Sequence, residues 1–322
     1  MRLVFLDIKT IGTIPNINIL DQYGEVTYYP TTSPDQTLAR IKDADIVITN
    51  KVVLDREIIE QAANLKLICV SATGTNNVDK LAASERGIPV KNVEGYSSRS
   101  VAQGTFALLL HLMMHIPYYD KYVKEGSYSQ SDIFTHFEKP LRELADKRFG
   151  IIGMGNIGRQ VAKIAEAFGS EVVYYSASGG NHQPGYQRLE LEELLKTSDI
   201  VSIHAPLNQH TSNLLRYDRL RLMKRTAILI NAGRGGIIDE ADLARALDEE
   251  LIYGACIDVF EKEPIAVDNP LLKVKNKDRI ALTPHVTWAS IEARTSLMDK
   301  VSNNIREFLK ESQLTQTSTP HP

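Results

Sequence analysis

The stretch Phe149-Gly150-Ile151-Ile152-Gly153-Met154-Gly155-Asn156-Ile157-Gly158 limits what this chain can fold into more than any other part of it. Phe149 to Ile152 reads as a buried strand, and Gly153, Gly155 and Gly158 follow in the G-x-G-x-x-G spacing. Each glycine answers a different steric demand: a tight turn, close approach of backbone to a pyrophosphate, and close packing of helix on strand. Downstream, Val161, Ile164, Ala165 and Phe168 recur at helical spacing, Gly169 is a stop, and Glu171-Val172-Val173-Tyr174-Tyr175 reads as the next strand. An isolated glycine turn is a common structural device. Placed between a strand and a helix inside a βαβ unit, it meets the context a dinucleotide-binding turn requires. The start of such a helix offers unpaired N–H groups and the positive end of its dipole, both suited to phosphate.

The same alternation runs along the chain. Apolar runs at 3–7, 46–48, 67–70 and 90–93 are separated by helical patterns at 35–42, 55–63 and 81–86. A second series begins at Gly150, with strands expected at 200–204, 227–230, 254–259 and 279–283 and helices at 189–197, 217–223 and 240–248. Strands alternating with helices predict α/β architecture with parallel sheets. Residues 100–115 form a helix that is apolar nearly all round, which implies burial on more than one side or against a partner subunit. Residues 118–141 are aromatic and irregular and suit an arm at a dimer interface. A last helix is expected at 291–309, and the polar segment 311–322 is expected to lack order.

Composition narrows the function classes. With 322 residues the chain has room for two domains. A net charge of −3 provides no basic field for nucleic acid or an anionic membrane. No apolar run approaches the roughly 20 residues of a spanning helix. Met1 to Ile8 reads as a strand rather than a signal peptide. Cys69 and Cys256 lie inside apolar runs and read as buried thiols, so a reducing, cytoplasmic setting is expected. No metal site is expected.

Ligands of open parallel sheets bind beyond the carboxyl ends of the strands. Three strand-end loops of the second series carry chemistry: Asn231-Ala232-Gly233-Arg234-Gly235-Gly236, Asp258-Val259-Phe260-Glu261-Lys262-Glu263-Pro264, and Pro284-His285-Val286-Thr287-Trp288. Taken singly, each has an ordinary reading: a solvated arginine, a solvated acidic pair, a structural histidine. Converging beside a dinucleotide turn, they form a set for hydride transfer. Charge developing on a ketone oxygen needs a positive group, Arg234, and a proton donor, His285. A donor imidazole needs an acidic neighbour to hold its proton, which suits Glu263.

The motifs G-I-I-G-M-G-N-I-G, N-A-G-R-G-G-I-I-D-E, D-V-F-E-K-E-P and T-P-H-V-T-W-A-S, in that order, resemble the D-isomer-specific 2-hydroxyacid dehydrogenase family. The resemblance extends from about Ile46 to Phe308. It implies two Rossmann-like or flavodoxin-like domains with a cleft between them. Residues 1–97 with 290–322 would form the substrate-binding domain, and 98–289 the dinucleotide-binding domain. It implies Arg234, Glu263 and His285 as the catalytic set. Ala72, Thr73 and Gly74, with Arg234 and Trp288, would bind substrate. Thr73, Gly153, Gly155, Asn156, Ile157, Gly158, Ser176, His204, Ala205, Pro206, Thr211, Ala232, Gly233, Asp258 and His285 would bind the cofactor, NAD with NADP also open. The chain departs from the family at Ser176, where an acid ordinarily holds the adenosine ribose. Trp288 resembles the glycerate dehydrogenase and hydroxypyruvate reductase subgroup. The expected reaction interconverts a small D-2-hydroxy acid and its 2-keto acid, glycerate/hydroxypyruvate or glycolate/glyoxylate, in a homodimer. The rivals are a D-lactate-type dehydrogenase and a nucleotide-sensing protein of the same fold without turnover.

Overall fold

The computed structural model describes residues 1–180 and 182–317. The chain divides into two compact units, Met1–Ser97 with Ala289–Pro322, and Ser98–Trp288.

In the first unit, strands β1 (Arg2–Phe5), β2 (Glu25–Tyr28), β3 (Ile46–Thr49), β4 (Leu67–Val70) and β5 (Val90–Lys91) pair in the order β2-β1-β3-β4-β5. Every pairing is parallel. β3 and β4 are buried at every position, as expected of strands covered on both faces. β2 was not anticipated from the sequence. It is an edge strand of alternating exposed and half-buried residues, so it carries no apolar run. Asp55 and Asp79 cap the helices Arg56–Gln61 and Lys80–Glu85 by accepting from the N–H groups of Ile58 and Ala82. The final helix runs from Ile291 to Thr317, beyond the expected end at 309 and through much of the segment expected to lack order. Residues 318–322 of that segment lie outside the described residues.

The second unit holds β6 (Arg148–Ile152), β7 (Glu171–Tyr175), β8 (Gln187–Arg188), β9 (Ile200–Ile203), β10 (Ile228–Asn231), β11 (Gly254–Ile257) and β12 (Ile280–Leu282). Their order is β12-β11-β10-β9-β6-β7-β8, again wholly parallel. The chain first builds outward from β6 through β7 to β8. It then crosses back to β9 and builds the other way. The switch point therefore lies between β6 and β9, where an open α/β sheet binds its ligand. Separate apolar cores fill the two faces of the sheet. The helix Ser98–Met114 covers one face, with Phe106 stacked on Phe149 at 5.7 Å. Its burial is not all-round: Gln103, Ala107 and His111, four residues apart, form an exposed stripe. The aromatic segment opens with a helix, Ile116–Lys124, before turning irregular. β8, two exposed residues long, was also missed by the sequence reading.

Candidate active site

The glycine turn links β6 to the helix Asn156–Ala167. Gly153 has φ +97°, and a Cβ there would lie 2.7 Å from the Ala205 nitrogen. A Cβ on Gly158 would lie 2.3 Å from the Gly153 carbonyl oxygen. Backbone fills both positions, so neither tolerates a side chain. Gly155 differs, because a Cβ there would meet nothing within 4 Å. Its lack of a side chain keeps space open outside the turn. Gly155 is also the helix N-cap and supplies no side-chain cap, so the first-turn N–H groups are met by no side chain there. Open space in front of uncapped amides fits a dinucleotide pyrophosphate.

The other expected cofactor residues end neighbouring strands. Asn156 is exposed and Ile157 half-buried at the start of the helix, and Ser176 follows β7. His204, Ala205 and Pro206 follow β9, and Ala232 and Gly233 follow β10. A Cβ on Gly233 would lie 3.1 Å from the Ile203 oxygen, so these two loops run close together. Thr211 and Asp258, expected from the resemblance to lie at the cofactor, have no exposed surface in this structure. Thr211 closes its own loop, with Oγ1 donating to Pro206 O at 2.6 Å and accepting from Asn208 N at 2.8 Å.

His204 is buried, its Nε2 lies 2.8 Å from Ser202 Oγ, and its Nδ1 has no partner among the described residues. Burial lowers its pKa from 6.5 to about 3, so the ring is neutral in the fold. Because the folded pKa is depressed, the associated stability is present above pH 6.5 and is lost as pH falls toward about 3. Within that window, His204 alone should remove about 1.4 kcal/mol of stability per pH unit. His204→Asn should show a shallower loss in thermal unfolding between pH 6.5 and pH 5; an unchanged slope would exclude this account.

Three strand-end loops carry Arg234, Glu263 and His285. Arg234 is exposed after β10, with Nη1 donating to Gly233 O at 2.8 Å. Among the described residues no carboxylate pairs with it, so its charge is available to a ligand. His285 Nδ1 lies 2.7 Å from Glu263 Oε2, and the two side chains are 25% and 34% exposed. Glu263 Oε1 accepts from Phe260 N at 3.1 Å, which fixes the carboxylate. Bonded through Nδ1, the ring leaves Nε2 as its other polar atom.

Asp258 organises this arrangement. Oδ1 accepts from Thr283 Oγ1 at 2.6 Å and Val286 N at 2.9 Å. Oδ2 accepts from Thr287 Oγ1 at 2.6 Å and Thr287 N at 3.1 Å. These four bonds occupy the acceptor sites of a carboxylate. The Asp258 backbone oxygen also accepts from His285 N at 2.7 Å. His285 sits at φ +53°, a left-handed conformation that non-glycine residues seldom adopt. Asp258 thus holds both sides of the residue that carries the imidazole.

Gly235 was passed over in the sequence reading. A Cβ there would fall 1.8 Å from Phe260 O and 2.7 Å from Glu261 N. The Arg234 loop therefore rests backbone to backbone on the loop leading to Glu263. Gly235→Ala should drive the two loops apart and lower kcat/KM by about 10²-fold, the scale of a 1 Å misplacement. Near-normal kinetics in a folded variant would refute this packing.

Ala72, Thr73 and Gly74 belong to the first unit, on the loop after β4. Thr73 Oγ1 donates to Val93 O at 3.0 Å, and Asn92 Nδ2 donates to Thr73 O at 2.7 Å, which pins the loop. Trp288, half-buried, closes the second unit three residues after His285.

No helix among the described residues is long and apolar enough to cross a membrane. The family model described as D-isomer specific 2-hydroxyacid dehydrogenase, NAD binding domain, matches residues 106–287. The chain is 40% identical over 298 residues to a hydroxypyruvate reductase of Blautia hydrogenotrophica, covering 91% of this chain and 92% of the relative. It is 37% identical over 309 residues to a glycerate dehydrogenase of Methylorubrum extorquens, covering 96% of each. The fold superposes with TM-score 0.82 on the D-lactate dehydrogenase of Aquifex aeolicus solved with NAD and lactic acid, at 26% identity over 97% of this chain and 96% of that one. With its glycine turn, its two parallel sheets and this likeness along nearly its whole length, the chain belongs to the D-isomer-specific 2-hydroxyacid dehydrogenases, a family of nicotinamide-dependent oxidoreductases.

Proposed function

We propose that the protein interconverts a small D-2-hydroxy acid and its 2-keto acid, with hydroxypyruvate or glyoxylate as the keto substrate. The observation that carries the reading is the 2.7 Å Glu263–His285 pair, with Arg234, unpaired to any carboxylate among the described residues, on a loop that packs against the one leading to Glu263. When bound, the nicotinamide supplies hydride to the ketone carbon. Arg234 binds the substrate carboxylate and draws electron density toward the carbonyl oxygen. His285 gives that oxygen its proton from Nε2, and takes it back in the oxidative direction. Glu263 fixes the ring through Nδ1. In the first unit, Ala72, Thr73 and Gly74 would offer backbone amides to the carboxylate. Their N–H groups donate to no partner among the described residues. Trp288 would shape the substrate end of the site.

Arg234→Lys is expected to lower kcat/KM for the keto acid by about 10- to 100-fold, because one ammonium cannot reproduce two parallel charge-assisted hydrogen bonds. Steady-state kinetics with hydroxypyruvate would reveal it, and a change below twofold would argue against carboxylate binding there. The reading as a whole is tested by loss of nicotinamide absorbance with hydroxypyruvate, glyoxylate and pyruvate. Turnover of none would favour the sensor reading; a preference for pyruvate would make the protein a D-lactate-type enzyme.

We also infer a cytoplasmic homodimer. Cys69 and Cys256 are free and buried, and burial pushes the Cys69 thiol up to about 12. Phe134 and Phe137, 90% and 78% exposed, lie on the irregular segment with Ile133 and Leu141, an apolar surface suited to a second copy.

A further inference from the structure

The loop after β7 lacks the carboxylate that ordinarily receives a ribose 2′-hydroxyl, and the sequence offers no arginine within it. The structure brings one in from the next strand. Arg188, on the edge strand β8, pairs in register with Tyr174, two residues before Ser176. Its Nη1 donates to Gly179 O at 2.8 Å, which holds the guanidinium at this loop. Among the described residues, no carboxylate pairs with Arg188. Ser176, 5% exposed, has its Oγ 3.4 Å from Ser178 Oγ, so two hydroxyls share the same loop. A turn closes it, with Gly179 N donating to Ser176 O at 3.1 Å and Gly179 at φ +71°. A Cβ on Gly179 or Gly180 would meet nothing within 4 Å, so the loop faces open space.

We propose that Ser176, Ser178 and Arg188 form a receptor for a ribose 2′-phosphate, and that this chain prefers NADP(H) to NAD(H). This rests on the reading of the glycine turn as a dinucleotide site. A carboxylate at position 176 would accept from a 2′-hydroxyl and repel a phosphate. Serine carries no charge to repel a phosphate, and its hydroxyl can donate to phosphate oxygens. The guanidinium has five N–H groups, and one is committed to Gly179. The others provide the planar fork that matches a phosphate. Arg188 is thus a specificity-determining residue, outside the catalytic set.

Calorimetry with adenosine 2′,5′-bisphosphate and adenosine 5′-monophosphate tests this without turnover, since the two probes differ only in the 2′-phosphate. The full chain should bind the bisphosphate about 10- to 100-fold more tightly, the range of one or two charge-assisted hydrogen bonds. Arg188→Ala should erase that difference and leave monophosphate affinity unchanged, and Ser176→Asp should reverse the preference. Equal affinity for both probes in the wild type would overturn the proposal while leaving the dinucleotide reading intact. Loss of both probes in a folded Arg188→Ala protein would overturn it too, reducing Arg188 to a clasp on the loop. Binding of neither probe by the wild type would overturn it together with the dinucleotide reading, and the keto-acid panel reports on catalysis separately.

Discussion

Replacing His285 by alanine is expected to lower kcat by about 10²- to 10⁴-fold, the usual contribution of a positioned general acid. The loss should appear with both hydroxypyruvate and glyoxylate, because the proton goes to the carbonyl oxygen they share. The fold should change little, since the imidazole is partly exposed and its one strong partner, Glu263, also accepts from Phe260 N. Stopped-flow and steady-state kinetics at saturating nucleotide would measure the loss in kcat. A variant with kcat near that of the wild type would remove His285 from the mechanism and leave the Glu263 contact as a structural bond.

Asp258→Asn should have the second-largest effect, though it changes only one atom. In the wild type each carboxylate oxygen accepts one backbone N–H and one hydroxyl, from Val286 and Thr283 on one side and Thr287 on the other. The hydroxyls can rotate, but the amide hydrogens of Val286 and Thr287 cannot. Whichever way an asparagine turns, its NH₂ group faces one of those N–H donors in a site with no exposed surface. A buried donor left unmet costs about 1–3 kcal/mol. The same change loosens the loop that holds His285 at φ +53°. Stability should therefore fall by that amount and kcat/KM by about 10²-fold, with the kinetic loss persisting well below the melting temperature. Loss of stability alone, with kcat/KM unchanged, would show that the brace supports the fold without aiming the imidazole. The loop is supported from beneath as well: Ser100 Oγ donates to Thr287 O at 2.6 Å, and Gly104 leaves room for the Thr287 side chain, which a Cβ would approach to 2.7 Å.

Gly235 and Arg188 illustrate what a linear reading overlooks. Gly235 stands beside Arg234 in a glycine-rich run and carries no chemistry of its own, yet Phe260 O occupies the place of its missing side chain. Arg188 lies 12 positions after Ser176, on a strand too short and too exposed to leave a pattern. Asp258 and Thr211 carry bonds that no linear reading shows: buried Thr211 closes its own loop, and buried Asp258 braces the loop after β12.

The sequence by itself determined the architecture. Strands such as β3, β4, β9 and β10 are buried at every position, so their composition is forced toward apolar residues and can be read directly. It also determined the dinucleotide turn, because the glycine spacing records steric limits within a few consecutive residues. Arg234, Glu263 and His285 could be named for a related reason: each follows a legible strand in one parallel sheet, and topology then gathers the strand ends. Only the tertiary structure decided what holds those groups in place. The four bonds to Asp258, the backbone packing at Gly235 and the Arg188 guanidinium on Gly179 O join atoms distant in sequence. Such contacts depend on strand order and register, which no local pattern encodes.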